Sequence, residues 1–327
     1  MNILVVGGAG YIGSMTVRRL VERGYPVWVY DNFSRGHRAA VPSAINVEGD
    51  LADEDRLTET LRAKSIDAVI HFAALAQVGD SVADPSAYYR VNVVGSQRLL
   101  EAMRRAGVTR IVFSSTTATY GEPERMPITE DTPQRPINPY GFTKLVVERM
   151  LCDYARAFGI APAALRYFNA AGADPSGQFG ESASPQTRII PLTLEVALGK
   201  RKHIRILGDD YPTPDGTCIR DFIHIDDLAD AHIRVLDQLR PGTFQAFNLG
   251  NGRGFSVKEV IEACRRVSGH PIPAEIAPRR PGDPPILIAD ASKARDVLGW
   301  TPRFTDMEDI VRTAWNWHRT HPNGYGG

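Results

Sequence analysis

Cysteine is scarce in this chain, and neither sign of charge is in excess. The three cysteines, Cys152, Cys218 and Cys264, lie far apart among 327 residues and form no Cys-x-x-Cys pair. An odd number at such spacing argues against a disulfide framework or a zinc site and fits a reducing compartment. Since 38 basic side chains balance 38 acidic ones, the composition gives no reason to expect nucleic acid or an anionic membrane as a partner.

Long apolar runs are also missing. No stretch reaches the roughly 18 apolar residues that a transmembrane helix needs. The first residues, MNILVVGGAGYIG, lack the basic start of a signal peptide and are interrupted by glycine. We therefore expect a cytoplasmic protein whose chain begins with a buried strand.

The first half of the sequence contains a regular alternation of short apolar runs and helical patterns. The apolar runs are ILVV, VWVY, AVIHFAA, RIVFSS and APAALRYFN. Strands that are apolar throughout and separated by helices indicate a parallel sheet covered on both faces. Right-handed crossovers then predict an α/β fold with a doubly wound, Rossmann-type parallel sheet. Ligands of such folds bind at the carboxyl ends of the strands.

The sequence pattern changes after about residue 170, where loops rich in proline and glycine separate shorter predicted helices and strands. We expect a dinucleotide-binding domain over 1–170 and a second, smaller α/β substrate domain over 171–327. Segments within 218–250 are expected to return to the first domain, because FNLG reads as a further strand.

A glycine loop, GGAGYIG, follows the first strand and opens a helix. Gly7, Gly10 and Gly13 allow a tight turn, close approach of a pyrophosphate and an anion site at the helix N-terminus. Asp31 ends the second strand, eighteen residues past Gly13. A carboxylate there can accept both hydroxyls of an adenosine ribose and would repel a 2′-phosphate, which favours NAD over NADP. A turn-capping role for Asp31 is the alternative.

The segment PYGFTK places Tyr140 and Lys144 one helical turn apart, on the same face. A tyrosine with a pKa near ~10 is a weak base at neutral pH. A neighbouring ammonium lowers that pKa, and the lysine can also donate to a nicotinamide ribose. The pair therefore fits a general acid and base acting beside a hydride carrier.

The preceding strand ends in FSSTTATYG, with four hydroxyl residues in a row and no carboxylate. One of these hydroxyls can bind the same substrate oxygen as the Tyr140 phenol. Thr116 is the expected residue, and Ser115 or Thr117 takes its place if the register shifts.

The chain resembles the extended short-chain dehydrogenase/reductase superfamily in motifs that span nearly its whole length. They are GGAGYIG, VYDN, HFAA, YYRVN, SSTTATYG, PYGFTK, LRYFN, DGTCIRDFIHIDDLA and RRPGD. Within the superfamily it is similar to the UDP-glucose 4-epimerases. The run DYPTPDGTCIRDFIHIDDLADAH carries that likeness, whereas the glycine loop and Tyr-x-x-x-Lys specify only the superfamily.

The resemblance implies an NAD-dependent enzyme that inverts the configuration at C4 of UDP-glucose and UDP-galactose through a transient 4-keto sugar. It implies that Tyr140 is the general base and acid and that Lys144 lowers the pKa of Tyr140. Thr116 is expected to form a hydrogen bond with the sugar 4-oxygen. The resemblance also implies a homodimer formed through helices over 84–107 and 138–159.

The implied binding residues fall into two sets. Cofactor contacts are Gly7, Gly10, Tyr11, Ile12, Gly13, Asp31, Asn32, Asp50, Leu51, Phe72, Ala73, Ala74, Asn92, Tyr140 and Lys144. Substrate contacts are Thr116, Tyr140, Asn169, Arg188, Arg220, Arg280 and Asp283. The arginines make independent sense, because a chain without net charge must neutralise a diphosphate locally and guanidinium groups do so bidentately.

Three positions depart from the relatives this chain resembles. Thr116 replaces a commoner serine and keeps the hydroxyl. Arg188 stands where relatives often carry asparagine or histidine, and we expect it to add a phosphate contact. Leu287 falls where a large aromatic residue tends to reject N-acetylated sugars and a small one to admit them, so leucine leaves that specificity open.

Other functions stay open at this point. A C4 epimerase of another nucleotide sugar, such as a UDP-N-acetylhexosamine or a UDP-uronate, fits the same motifs. Dehydratases or decarboxylases fit less well, because they need carboxylates where this chain has Thr117, Ala118 and Thr119. A non-catalytic NAD sensor would need neither Tyr140 nor Lys144. His71, His224 and His232 lie in apolar strand or helix patterns and none pairs with another at metal-ligand spacing, so no metal is expected.

Overall fold

The computed structural model describes residues 1–280 and 283–326. Its strands, in chain order, are β1 (Ile3–Val6), β2 (Val27–Asp31), β3 (Asn46–Glu48), β4 (Ala68–His71), β5 (Arg110–Ser114), β6 (Ala161–Tyr167), β7 (Asn169–Ala171), β8 (Ile204–Leu207), β9 (Ile219–His224), β10 (Gln245–Leu249), β11 (Gly254–Ser256), β12 (Ala274–Ala277) and β13 (Ile286–Leu287). Its α-helices are α1 (Tyr11–Glu22), α2 (Glu54–Ala63), α3 (Val78–Ala83), α4 (Pro85–Tyr88), α5 (Gly95–Ala106), α6 (Pro139–Phe158), α7 (Ile189–Ala197), α8 (Ile225–Arg234), α9 (Val257–Ser268), α10 (Ser292–Leu298) and α11 (Met307–Thr320).

The largest sheet has seven strands in the order β10-β6-β5-β4-β1-β2-β3, and every neighbouring pair runs parallel. The chain winds outward from β1 in both directions, so the strand order reverses between β1 and β4. The prediction of a doubly wound, Rossmann-type parallel sheet is confirmed. The carboxyl ends of β1 and β4 therefore border the crevice in which such folds bind ligands.

Alternation along the strands explains why both faces of this sheet are covered. In β1, Ile3 and Val5 pack into the core on the side of α1 and α8. Leu4 and Val6 point the other way, into the core shared with α2, α5 and α6. Since side chains of a strand alternate between the two faces, an uninterrupted apolar strand needs helices on both.

The helical region predicted over 84–107 contains a local irregularity. Between α4 and α5 the segment Tyr89–Val94 forms a π-helical turn. Asn92 lies in that turn and is 2 % exposed. Such turns widen a helix locally and often mark functional positions.

The later part of the chain builds two smaller sheets. Strand β9 pairs in parallel with β7 and β13 and antiparallel with β11, and β8 pairs with β12. Helices α7, α9 and α11 enclose a third core beside them. Strand β10 returns to the large sheet next to β6. No helix within the described ranges combines the length and the hydrophobicity required to cross a bilayer.

One predicted strand is divided. The sequence predicts a single strand over 161–169, but β6 ends at Tyr167 and β7 starts at Asn169. The reason is a change of partner: β6 pairs with β5 and β10, whereas β7 pairs with β9. Asn169 thus lies where the chain passes from the large sheet to the smaller one.

Candidate active site

The glycine loop between β1 and α1 is shaped by close packing at two of its glycines. Gly7 has a φ of +79°, and a Cβ atom there would lie 2.4 Å from the backbone nitrogen of Ala73. A Cβ atom at Gly13 would lie 2.3 Å from the carbonyl oxygen of Gly7. Both positions therefore require glycine for internal reasons, the first a left-handed turn against β4 and the second the approach of α1 to the loop.

Gly10 has no comparable internal constraint. A Cβ atom there would meet only the carbonyl oxygen of Gly7, at 3.4 Å, which is tight but far less severe. Gly10 is the N-cap of α1, and no side chain caps this helix. The first turn, with Tyr11 and Ile12, therefore presents uncapped backbone N–H groups and positive potential next to a glycine. This cradle fits the pyrophosphate of a dinucleotide.

Asp31 is built into the same loop. One carboxylate oxygen accepts a hydrogen bond from the Ala9 backbone at 3.0 Å, and the other accepts one from the Phe33 backbone at 2.8 Å. Burial raises the Asp31 pKa, and both backbone hydrogen bonds oppose that rise. The turn-capping role considered as an alternative is therefore present. It is compatible with ribose binding, because a carboxylate has further lone pairs available.

The residues that follow Asp31 in the implied cofactor set lie beside it. The Asn32 amide donates to the Asp50 carboxylate at 2.5 Å, and the Tyr30 hydroxyl donates to the Asp50 carbonyl oxygen at 3.0 Å. Leu51 is buried, and a Cβ atom at Gly95 would approach it to 3.0 Å. The loop after β3 is thus fixed next to the end of β2.

The end of β4 supplies the opposite wall of the crevice. The backbone nitrogens of Phe72 and Ala73 donate to the Val6 carbonyl oxygen, and Ala74 follows. Asn92, in the π-helical turn, accepts from the Leu75 nitrogen at 2.8 Å and donates to the Leu75 carbonyl oxygen at 3.0 Å. Its amide also donates to the Thr143 hydroxyl at 3.0 Å, which joins this wall to α6.

The hydroxyl residues at the end of β5 have separate partners. Ser114 is hydrogen-bonded to the Tyr167 hydroxyl, Ser115 donates to Glu148, and Thr117 donates to the Tyr167 carbonyl oxygen at 3.3 Å. Thr116 accepts from the Ala118 backbone at 3.2 Å, which leaves its own O–H free to turn outward. The Thr116 side chain lowers the pKa of Tyr140.

Tyr140 is held at the start of α6 by ordinary helix-start signals. Asn138 caps the helix by accepting from the Gly141 backbone at 2.9 Å, and Pro139 occupies the first turn. Burial raises the Tyr140 pKa, while the Thr116 side chain and the Arg188 guanidinium lower it. One hydroxyl side chain and one cation therefore favour the phenolate.

Lys144 is buried, and its side chain reaches the end of β5. Its ammonium donates to the Ser114 carbonyl oxygen at 2.7 Å and lies 4.6 Å from the centre of the Phe113 ring. Burial lowers the Lys144 pKa to about 7, and Glu148 opposes this. The Arg188 guanidinium lowers the pKa of Tyr140, while the Lys144 ammonium is directed at the end of β5.

Arg188 precedes α7 and has a carboxylate partner of its own. It donates to Glu181 at 2.7 Å, and its guanidinium lies 5.0 Å from the centre of the Tyr11 ring. The Tyr11 hydroxyl donates to the Gly172 carbonyl oxygen at 2.5 Å. Arg188 therefore lies between the glycine loop and Tyr140, with its side chain 40 % exposed.

The remaining substrate-set residues lie around β9. Arg220, on β9, forms an ion pair with Asp283, and Leu287 on β13 is its register partner. Asn169 pairs with β9 from β7, and Arg280 is exposed. The structure thus brings Arg220, Asp283 and Leu287 together. Of the motif RRPGD, residues 281 and 282 lie outside the described residues.

The sequence analysis missed the buried polar network behind the site. Glu148 and Arg166 form an ion pair at 2.6 Å, with side chains 4 % and 5 % exposed. Arg166 also donates to the Tyr120 hydroxyl at 2.7 Å, which in turn donates to Asn248. The available signal was Glu148 in LVVERML, because it lies four residues after Lys144 on the same helix face.

Comparisons with known proteins agree on one family. The model of the NAD dependent epimerase/dehydratase family matches residues 3–250. A UDP-glucose 4-epimerase of Halalkalibacterium halodurans is 55% identical over 326 residues, which cover 99% of this chain and 98% of that protein. The crystal structure of UDP-glucose 4-epimerase from Brucella ovis in complex with NAD is 50% identical, has a TM-score of 0.93 and covers 96% of this chain and 97% of its own. That of the Bifidobacterium longum enzyme in complex with NAD+ and UDP is 40% identical, has a TM-score of 0.94 and covers 99% of this chain and 100% of its own.

Proposed function

The chain belongs to the NAD dependent epimerase/dehydratase family, and from that premise we propose how its residues invert C4 of UDP-glucose and UDP-galactose. NAD is the cofactor and a UDP-sugar the substrate. When bound, NAD would accept the hydride from C4 and return it to the opposite face of the 4-keto sugar. The glycine loop, with Gly10 and the N-terminus of α1, holds the pyrophosphate, and Asp31 holds the adenosine ribose.

Tyr140 moves the proton at the sugar 4-oxygen. Its phenolate takes the hydroxyl proton as C4 is oxidised and gives it back as C4 is reduced. The Thr116 hydroxyl donates to the same oxygen and holds it beside the phenol. Lys144, at the adjoining turn of α6, donates to the nicotinamide ribose and contributes positive charge. The observation that carries this assignment is the close packing of the first turn of α6 on the turn after Thr116, where a Cβ atom at Gly141 would lie 2.5 Å from the Ala118 carbonyl oxygen.

Inversion requires that the 4-keto sugar turn over while the nucleotide stays bound. Guanidinium groups suit this task, because they hold phosphate oxygens bidentately and stay charged. Arg220, fixed by Asp283, and Arg188 clamp the diphosphate. Asn169 and Arg280 complete the contacts to the substrate from β7 and from the loop before β13.

The same site is poorly equipped to eliminate water. The residues after Thr116 are Thr117, Ala118 and Thr119, and both threonine hydroxyls are buried and bonded to backbone carbonyl oxygens. A dehydration needs an additional acid and base, and this segment has no carboxylate to supply them. This favours an epimerase over a dehydratase.

Further parts of the proposal concern organisation. Residues 1–170 bind NAD, and residues 171–327 bind mainly the UDP-sugar. A homodimer through the 84–107 and 138–159 regions is supported by exposed apolar side chains there, including Tyr89, Val94 and Phe142. A cytoplasmic location is supported by the free cysteines.

The experiment is turnover of UDP-galactose and UDP-glucose by the purified protein without added reductant, together with a panel of UDP-N-acetylhexosamines and UDP-uronates. Tyr140→Phe should retain NAD and lose at least about 100-fold in kcat. Tyr25→Phe is the control, because Tyr25 precedes β2 at the amino end of the sheet. Absence of turnover on both hexose substrates, or a normal rate for Tyr140→Phe, contradicts the proposal.

A further inference from the structure

Glu148 lies on the helix that carries the proposed acid and base, but it is not part of the proposed machinery. It follows Lys144 by four residues, as Lys144 follows Tyr140, so the three side chains share one face of α6. Glu148 is 3 % exposed. A buried carboxylate one turn from a buried ammonium is an electrostatic arrangement that the family motifs do not require.

Three different parts of the chain hold this carboxylate in place. Arg166, on β6, donates to one oxygen at 3.0 Å and to the other at 2.6 Å. Gln134, before α6, donates at 3.0 Å, and the Ser115 hydroxyl donates from the end of β5. These four hydrogen bonds engage both carboxylate oxygens and fix the side chain in place.

Ser115 connects this carboxylate to the reacting end of the site. The carbonyl oxygen of Ser114, on one side of it, accepts the Lys144 ammonium. Thr116, on the other side, precedes the turn against which Gly141 of α6 packs, and its side chain lowers the pKa of Tyr140. A hydrogen bond at Ser115 therefore fixes the strand end at the point where both interactions originate.

Stability alone does not account for a buried ion pair at this place. Replacing such pairs by apolar side chains of similar volume is often neutral or stabilising. Lys144, by contrast, needs a source of negative potential, because burial penalises its charged form and its only hydrogen-bond partner in the described residues is a neutral carbonyl group.

We propose that Glu148 is a positioning residue that keeps the Lys144 ammonium charged and fixes the end of β5, with Thr116, against α6. This inference rests on the proposed function, in which the charged form of Lys144 is the active one. Glu148 touches neither substrate nor cofactor and acts only through Lys144 and Ser115.

The other titratable groups around Lys144 do not carry compensating negative charge near neutral pH. On β4, His71 stays neutral because burial lowers its pKa to about 3. Burial raises the pKa of Tyr167 on β6, which keeps that phenol protonated. Glu148 raises the Lys144 pKa against the effect of burial, which lowers it to about 7.

The test is a direct titration of Lys144. The chain contains six lysines, so labelling lysine with ¹³C at Cε gives few signals, and the signal lost in Lys144→Arg identifies Lys144. The purified NAD-containing protein is titrated by NMR, and kcat for UDP-galactose is measured over the same pH range. In Glu148→Gln we expect the Lys144 midpoint to fall by about one pH unit, and the alkaline limb of kcat to move with it.

Two further variants keep the test decisive. Glu148→Gln leaves the Arg166 guanidinium buried without its partner, so it could fail to fold. Glu148→Gln with Arg166→Met removes both charges, and its Lys144 midpoint should also lie below that of the wild type. Glu308→Gln is the control, because it removes a carboxylate from an arginine pair on the surface between α9 and α11 and should leave the midpoint unchanged.

An unchanged Lys144 midpoint in the Glu148 variants overturns the inference. So does a kcat that falls equally at every pH, because that is the signature of a purely structural role. The NMR titration does not depend on turnover. A wild-type protein without epimerase activity would therefore contradict the proposed function and still report whether Glu148 holds the charge of Lys144.

Discussion

Thr116→Val is the most informative single change at the strand end. Valine keeps the branched shape of threonine and removes only the hydroxyl. Two interactions are lost. The hydroxyl oxygen accepts from the Ala118 backbone at 3.2 Å as the cap of a short 3₁₀ turn. In the proposed function the hydroxyl also donates to the sugar 4-oxygen.

The two losses have different magnitudes and different readouts. Loss of a cap costs about 1 kcal/mol of folding stability. At roughly 2 cal/mol/K of unfolding entropy per residue, this lowers the Tm by only about 1–2 °C. Loss of a hydrogen bond to a group that bears charge in the transition state costs about 1.5–3 kcal/mol. That corresponds to a decrease of about 10- to 150-fold in kcat.

The assay compares kcat for UDP-galactose and the Tm of three variants. Thr116→Ser keeps the hydroxyl and should stay within about threefold of the wild type. Thr117→Val is the matched control, because it makes the same chemical change one residue later, where the hydroxyl donates to the Tyr167 carbonyl oxygen at 3.3 Å. If Thr117→Val lost more activity than Thr116→Val, the assignment of the substrate hydroxyl to Thr116 would be refuted.

Three further predictions concern the cofactor side and Lys144. Gly10→Ala should fold but bind NAD poorly. Gly13→Ala should fold poorly, because its Cβ would lie 2.3 Å from the Gly7 carbonyl oxygen. The NAD content and the Tm of the purified variants distinguish these two outcomes. Asp31→Asn loses one acceptor for a backbone N–H and the repulsion of a 2′-phosphate, so NAD affinity should fall at least about tenfold and the preference for NAD over NADP should narrow, as measured by calorimetry. Burial lowers the Lys144 pKa to about 7 in the folded protein, against an ordinary value of 10.5. As the pH rises, Lys144 therefore loses its proton in the folded state before it does so in the unfolded state. The free energy of unfolding should consequently rise between pH 7 and 10.5. Lys144→Met should abolish that rise in urea titrations of NAD-free protein, and a slope equal to that of the wild type would contradict the folded-state pKa.

Much of the fold and of the cofactor crevice is legible in the sequence, because it depends on local rules. The apolar strands, the glycine loop and Asp31 at the end of β2 were all identified from spacing and residue type. Helix α6 covers Pro139–Phe158, within one residue of the region expected over 138–159. Such features need no knowledge of distant partners.

The remainder depends on contacts between segments far apart in the chain. The π-helical turn at Asn92 is accompanied by hydrogen bonds to Leu75 and Thr143, which no periodicity predicts. The direction of the Lys144 ammonium depends on a carbonyl group of β5. The pairing of Glu148 with Arg166 arises only when α6 packs against β6. Tertiary contacts of this kind decide the electrostatics of the site.

The central claim is that C4 is oxidised and reduced within one site, with its own hydrogen returned. The most direct measurement is the conversion of UDP-glucose that carries deuterium at C4. The reaction is run in non-deuterated water enriched in ¹⁸O, and the product is analysed by mass spectrometry and NMR. We predict UDP-galactose that keeps the deuterium at C4 and gains no ¹⁸O. Loss of the deuterium to solvent, or entry of ¹⁸O at C4, would contradict hydride return beside Tyr140 and Thr116.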